Sequence, residues 1–387
     1  MEIILAKYGE IALKGLNKRK FEDKLVQNTR AALPTPERFV LNYNQSTLYV
    51  RPKDEEADVA AAYAAIKRVF GISAVQRCLL LPKDMQVICD FAPDYLRDCL
   101  INARTFKVEA RRADKRFPLN SPQIQTELGD TLVTAFPHLK ADMTHPEVTI
   151  RAEIRESAAY LSAAREKGAG GIPVGSSGQA LLLLSGGFDS PVAAYLSAKR
   201  GLTIEALHFQ SPPYTSERAL EKVKSLCAAL TPYCGHITLH AVLLTKLQET
   251  LRDNAPSELF TVLLRRQMLF IANDVCKAGK SRALVTGECV GQVASQTLGA
   301  IQCTDDAAAY PVFRPVIGFD KIEITNLARQ IGTFGISELP YEDCCTIFTP
   351  KHPKTNPHLD EVLAAEQRFD YAPLRKEAYD GIQRFDF

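Results

Sequence analysis

The stretch Ser185-Gly186-Gly187-Phe188-Asp189-Ser190 follows an apolar run, Leu181 to Leu184, and leads into a segment that begins with Pro191. A buried strand, a tight turn and a helix with proline in its first turn form a setting in which backbone amides and the helix dipole hold phosphate. Gly186 and Gly187 carry no Cβ, so phosphate can approach the backbone. Ser185 and Ser190 add hydroxyl donors. Asp189 is anionic like the ligand, which suits it to Mg2+ rather than to phosphate itself. No GKS or GKT follows, so the lysine of a Walker-type loop is missing. A bare turn without a ligand is the competing reading of Ser-Gly-Gly. The Asp and second Ser, placed after a leucine run, favour phosphate.

Two further constellations carry chemistry. Cys344 and Cys345 are adjacent, after Glu342-Asp343 and before the basic run Pro350 to Lys354. A buried thiol is one reading. A zinc site built with His352 and His358 has poor ligand spacing, and no CxxC occurs anywhere, so no metal site is expected from these residues. Residues 104–120 hold Arg104, Lys107, Arg111, Arg112, Lys115 and Arg116 against Glu109 and Asp114, a net +4. Such a run is usually a solvated face, and the alternative is a track for RNA backbone. Phe106 and Phe117 within it belong either to the core or to base stacking.

The chain that must position these groups has 387 residues, 46% hydrophobic and 24% charged, with a net charge of +2. Two or three globular domains are expected, and no global field advertises nucleic acid. The start, MEIILAKYGEIALKG, lacks the pattern of a signal peptide, and no apolar run reaches the ~20 residues of a membrane helix. Ten cysteines are therefore expected to be reduced thiols in a cytoplasmic protein that does not enter the membrane. Glu2 to Tyr8, Phe39 to Asn42 and Thr47 to Val50 read as strands. Asn17 to Leu33 and Asp54 to Phe70 read as helices, with Asn17 as N-cap. Residues 145–164 alternate like a hairpin. The glycine-rich stretch 165–178 reads as a linker. Beyond it, strands at 180–184, 203–209, 236–243 and 282–287 alternate with helices at 191–200, 216–230, 257–278 and 320–331. That alternation predicts an α/β doubly wound parallel sheet preceded by two small α+β domains. The expected limits are 1–60, 61–170 and 171–387.

SGGFDS resembles the PP-loop of the ATP pyrophosphatases, which cleave ATP between its α and β phosphates. AKYGEIALKGLNKRKFE, TFKVEARRADKRFPLNS, GIPVGSSG, GECVGQVASQT (287–297) and PYEDCCTIFTPKHPKT (340–355) occur in this order. Together they resemble the tRNA 4-thiouridine synthase (tRNA sulfurtransferase) family over essentially the whole chain. The resemblance implies a ferredoxin-like domain, a THUMP RNA-binding domain and a PP-loop domain. It implies ATP contacts at Leu183, Leu184, Ser185, Gly186, Gly187, Ser190, His208, Phe209, Arg265, Gly287 and Gln296, with ATP and Mg2+ as cofactors. Read as residues alone, His208 is equally a satisfied strand-end histidine and Arg265 a solvated helix residue. The resemblance further implies catalytic Asp189 and a persulfide on Cys344, with Cys345 as the alternative carrier and Lys351 or His352 favouring the anion. It implies tRNA contacts from Lys107, Arg111, Arg112, Lys115 and Arg116, extended by Lys14, Lys18, Arg19 and Lys20. Uridine 8 of tRNA is then the expected substrate, and a cysteine desulfurase or another persulfide donor the expected partner, with a homodimer compatible. Some family members carry a C-terminal rhodanese domain, linked to a role in thiamine biosynthesis. A chain ending at Phe387 is expected to be the short form. An amidating or lysidine-forming PP-loop ligase, and an RNA-binding protein without catalysis, are the rival readings.

Overall fold

Leu181, Leu182 and Leu184 are buried, as an apolar run between two layers of helix requires. They belong to a computed structural model that describes residues 1–387 apart from Gln45, Glu342, Cys345, Thr346, Lys351 and the side chain of Ala294. The chain divides into two units, Met1–Ile172 and Pro173–Phe387, with the division inside the glycine-rich stretch.

The first unit runs β1 (Glu2–Tyr8), α1 (Lys18–Ala32), β2 (Phe39–Asn44), β3 (Thr47–Pro52), α2 (Val59–Ile66), β4 (Ile72–Leu81), α3 (Met85–Leu100), β5 (Thr105–Arg112), α4 (Ser121–Ala135), β6 (Lys140–Ala141), β7 (Val148–Ile154), β8 (Ala159–Ser162) and β9 (Glu166–Lys167). One sheet contains all its strands, in the order β2-β3-β1-β4-β8-β7-β5-β6, with β9 also on β4. The ten-residue β4 pairs with β1 on one side and with β8 and β9 on the other. Among the described residues two large cores and a smaller one, around Ile3, Leu5 and Cys78, lie along this sheet. One large core gathers Ile4, Leu25, Leu48 and Ile66, the other Ile88, Leu96, Phe106, Leu128 and Ile150. Phe106 and Phe117 both lie in the second core, so neither is offered for base stacking. Asn17 precedes α1 but makes no side-chain cap; Asp58 caps α2 instead.

The second unit runs β10 (Gln179–Leu183), α5 (Asp189–Lys199), β11 (Thr203–Gln210), α6 (Glu217–Cys234), β12 (Thr238–Leu243), α7 (Thr245–Asn254), α8 (Phe260–Ala278), β13 (Leu284–Val285), α9 (Leu298–Asp305), β14 (Val312–Phe313), α10 (Lys321–Gln330), α11 (Phe334–Ser337), α12 (Leu359–Glu366), α13 (Ala372–Asp380) and β15 (Gln383–Asp386). Its sheet has the order β14-β13-β10-β11-β12-β15. Every pairing is parallel except β12 with β15. The C-terminal strand is an antiparallel edge that alternation of strand and helix does not foretell. The order reverses at β10, flanked by β11 on one side and β13 on the other. In open parallel sheets the ligand crevice lies outside the carboxyl ends of the strands at that reversal.

Candidate active site

The carboxyl ends of four strands meet at one cleft. Leu183, Leu184 and Ser185 come from the end of β10, Leu207, His208 and Phe209 from β11, Thr286, Gly287 and Glu288 from just beyond β13, and Val312 and Arg314 from β14 and its exit. Asp189 and Ser190 open α5 on its floor. Arg265, Gln296, Asp343 and Cys344 complete the wall. The empty space is about 890 Å3, open mouth included, within the range of small-molecule sites. Of the expected nucleotide contacts, Gly186 and Gly187 alone do not line the cleft; they form the turn beside it.

That turn is held by its own side chains. The Ser185 amide donates to Ser190 Oγ at 3.0 Å, the Gly187 amide donates to Ser185 Oγ at 3.3 Å, and the two serine hydroxyls lie 3.2 Å apart. Ser337 Oγ donates to the Gly187 carbonyl at 3.1 Å. The Gly186 amide reaches a residue distant in sequence, donating to Asp343 Oδ1 at 2.8 Å. Asp343 is the neighbour of Cys344, so the turn and the thiol are linked through one carboxylate.

Burial raises the Asp189 carboxyl above its ordinary value, against the opposing influence of a Gln292 hydrogen bond and of Lys321. Among the described residues no cluster of three or more His, Cys, Asp or Glu side chains could hold a metal ion. One half-buried carboxylate suits a Mg2+ shared with phosphates, since that ion usually takes one or two protein carboxylates and keeps its remaining ligands from phosphate and water.

His208 is buried. Desolvation pulls its pKa down, against a hydrogen bond between Nδ1 and the Leu184 carbonyl at 2.9 Å and the nearby charge of Asp343. It is therefore a neutral ring that ties the end of β11 to the end of β10. Cys344 is 3% exposed, and its carbonyl accepts from Gln248 Nε2 at 2.9 Å. Cys345 and Lys351 lie outside the described residues, and His352 is exposed.

Arg265 and Arg266 are neighbours on α8 with different surroundings, because successive helical side chains diverge by ~100°. Arg266 is buried in the core, pairing with Glu366 and Asp306. Arg265 faces the cleft, where Nη2 meets Glu288 Oε1 at 2.9 Å and Nη1 donates to the Ser295 carbonyl at 2.9 Å. Arg314 Nε meets the other oxygen of Glu288 at 2.7 Å, and Thr286 Oγ1 donates to that same oxygen at 2.9 Å. Burial pushes the Glu288 carboxyl up, but the two arginines and Thr286 outweigh it and hold the group below its ordinary value. Sequence reading missed Glu288 and Arg314. An acidic residue straight after Gly287 was the available signal for the first; Arg314 follows a two-residue strand and offered none.

The basic run of the first unit divides by the partners its side chains hold. Arg112 Nη1 donates to the carbonyls of Phe117 and Leu119 at 3.1 and 3.4 Å, Arg116 pairs with Asp114, and Lys107 with Glu109. Arg111 and Lys115 are exposed. Arg111 lines a second cleft with Lys7, Arg51, Arg165, Tyr49 and Tyr160. Arg155 stacks over both tyrosines there, 5.4 and 4.9 Å from the ring centroids, while pairing with Glu153. This cleft is assembled from β1, β3, β5 and the ends of β7 and β8, which no single stretch of sequence reveals. Lys18 pairs with Glu22, whereas Arg19 and Lys20 border a shallow surface on α1.

A parallel sheet carrying a Ser-Gly-Gly turn at its reversal, in a chain that also holds a ferredoxin-like and THUMP sheet, defines a PP-loop enzyme of the RNA-modifying class. Comparison with known proteins narrows this. The family model described as thiamine biosynthesis protein (ThiI) matches residues 175–371, the ThiI ferredoxin-like domain residues 3–75 and the THUMP domain residues 82–164. A probable tRNA sulfurtransferase of Caldanaerobacter subterraneus subsp. tengcongensis is 44% identical, over 96% of each chain. One of Acetivibrio thermocellus is 42% identical, over 99% of this chain and 98% of its own. A crystal structure of a 4-thiouridine synthetase–RNA complex with bound ATP superposes with a TM-score of 0.92 at 34% identity, covering 100% of both chains. The chain belongs to the ThiI family of tRNA sulfurtransferases.

Proposed function

We propose that this chain makes 4-thiouridine at position 8 of tRNA at the expense of ATP, releasing AMP and pyrophosphate. One observation carries the reading: Asp189 and Ser190 of the phosphate turn and the thiol-bearing Cys344 line a single cleft. A ligase that needs no sulfur has no use for that juxtaposition.

The uridine O4 attacks the α-phosphorus. The bond to the β-phosphate breaks, N3 gives up its proton and pyrophosphate leaves. Leu183, Leu184, His208, Phe209, Gly287 and Gln296 hold the nucleoside end, and Ser185, Gly186, Gly187 and Ser190 the phosphates. Asp189 would hold Mg2+ with those phosphates, and the ion supplies neutralising charge on the transferring group. Arg265, held by Glu288, adds positive charge beside it. The terminal sulfur of a persulfide on Cys344 then attacks C4; the C–S bond forms and AMP departs with the oxygen. An external dithiol supplies two electrons to break the remaining S–S bond, releasing thiouridine and restoring the Cys344 thiol. Sulfur reaches Cys344 from a cysteine desulfurase or another persulfide donor. A reducing, cytoplasmic setting and a homodimer belong to the same proposal.

Residues 1–170 are assigned to tRNA and 171–387 to the chemistry. Arg111 and Lys115 make the first candidates for backbone contacts, because both are exposed; Arg165 and Lys7, the latter paired with Glu153 at 3.8 Å, border the same cleft as Arg111. Lys107, Arg112 and Arg116 support that surface from their ion pairs and carbonyl bonds.

The decisive measurement is nucleoside mass analysis of tRNA incubated with the chain, ATP, Mg2+, a cysteine desulfurase, cysteine and a dithiol. Thiouridine is expected with the parent chain and absent with Cys344→Ser, which still releases pyrophosphate. A Cys344→Ser chain that forms full product removes the sulfur-carrier assignment, and absence of pyrophosphate release by the parent removes the enzyme reading.

A further inference from the structure

The turn lacks a lysine of its own, yet one lies beneath it. Lys222 on α6 is 6% exposed, and its Nζ donates to the Leu339 carbonyl at 2.8 Å. Its Cε and Cδ lie 3.2 and 3.3 Å from the point where a Cβ on Gly186 would sit. Asp343 Oδ1 lies 3.2 Å from the same point and accepts the Gly186 amide. Burial lowers the Lys222 pKa, and Asp343 acts to raise it again.

A lysine is seldom this buried unless its charge is matched. Here the methylenes of a buried lysine and a carboxylate oxygen both close on Gly186 of the phosphate turn, the carboxylate at its amide. The other two amides of the turn are held by serine hydroxyls, so Gly186 is the one already serving an anion. An amide and a lysine converging on an anion are what a Walker loop offers to phosphate. In this chain the lysine comes from a helix more than thirty residues downstream of the turn.

Resting on the reading of α–β cleavage above, we propose that Lys222 supplies the leaving pyrophosphate with the cation missing from the turn, and that Asp343 is a resident carboxylate displaced by a phosphate oxygen from the Gly186 amide. A carboxylate and a phosphate compete for the same donor and repel one another. Arrival of pyrophosphate therefore moves Asp343, the residue bonded to Cys344, while the Cys344 carbonyl stays tethered to Gln248. Occupancy of the phosphate grip and the position of the sulfur-carrying backbone become one event.

The test is calorimetric titration of the full-length chain with inorganic pyrophosphate plus Mg2+, and separately with AMP. Asp343→Asn keeps a hydrogen-bond acceptor but loses the opposing charge, so pyrophosphate binds severalfold tighter while AMP is unchanged. Lys222→Met alone removes a charge that favours the Asp343 carboxylate and invites misfolding, so it is placed in the Asp343→Asn background. That double variant binds pyrophosphate about tenfold more weakly than Asp343→Asn, the scale of one charge-assisted contact, with AMP again unchanged. A purely structural lysine would weaken both ligands together. The proposal is overturned if Asp343→Asn weakens pyrophosphate binding, if the double variant binds it as tightly as Asp343→Asn, or if the parent chain does not bind it. Pyrophosphate binding by a parent chain that forms no thiouridine would instead overturn the sulfur-transfer reading and leave this one standing.

Discussion

Gly287 and Ser190 meet backbone to backbone: a Cβ on Gly287 would lie 2.6 Å from the Ser190 amide nitrogen and 2.7 Å from the Asp189 carbonyl carbon. The exit of β13 thus presses on the first turn of α5. Contacts that close cannot be relieved by moving a flexible side chain, since both partners are backbone. Gly287→Ala is expected to push α5 away from the turn at a cost of ~1–3 kcal/mol, lowering Tm and weakening ATP binding while tRNA affinity holds. Thermal unfolding together with ATP and tRNA titrations checks this; loss of tRNA affinity alone would place the residue elsewhere in the mechanism.

Asp189 is a carboxylate kept at some cost. Its pKa in the folded chain is raised by burial, so the folded state prefers the protonated acid. The cost is absent below the ordinary carboxylate range, around pH 4, and complete above the raised value. Asp189→Asn is therefore expected to raise Tm slightly near pH 7, with the gain shrinking as pH falls towards 4. Pyrophosphate release should drop by ~10²-fold or more, with tRNA binding retained. A variant that is both less stable at neutral pH and still active would contradict the assignment.

Glu288 joins Arg265 and Arg314 in the cleft wall. Removing one member of a buried charge group costs ~3–5 kcal/mol, so Glu288→Ala should be strongly destabilised. Glu288→Gln, nearly isosteric, should fold and show an elevated KM for ATP, because the two guanidiniums are no longer held. The sign of the pH effect follows from the lowered carboxyl pKa. Glu288 contributes stability above the ordinary carboxylate value and loses it as pH falls through the lower folded value. Parent and Glu288→Gln should therefore differ in Tm most at neutral pH and converge in acid.

Arg111 and Arg112 are adjacent and should behave differently. Arg111→Ala leaves the fold intact, weakens tRNA binding and reduces the salt slope of log K by somewhat under 1, the size of one lost backbone phosphate contact. Arg112→Ala removes the bonds to the Phe117 and Leu119 carbonyls and should lower Tm, with the salt slope nearly unchanged. Filter binding across a salt series separates the two; equal slopes for both variants would refute the division.

Local pattern was enough to read much of this protein. Leucines before Ser-Gly-Gly, alternating strands and helices after residue 178, and the thiol pair at 344 and 345 all lie in contiguous stretches. Their meaning depends on near neighbours in the chain: period, turn chemistry and nucleophile type. The doubly wound sheet and the turn at its reversal were legible for that reason. Other features depend on residues far apart in sequence. Phe106 and Phe117 were ambiguous until packing placed them in a core. The arginines at 265 and 266 look alike in sequence, and only the rotation of α8 sends one to the cleft and the other to Glu366. The convergence of Lys222, Gly186 and Asp343 spans three separate segments. Charge pairing and desolvation act through space at a few ångströms, irrespective of chain distance, so tertiary structure alone decided that this lysine, this glycine and this carboxylate lie together.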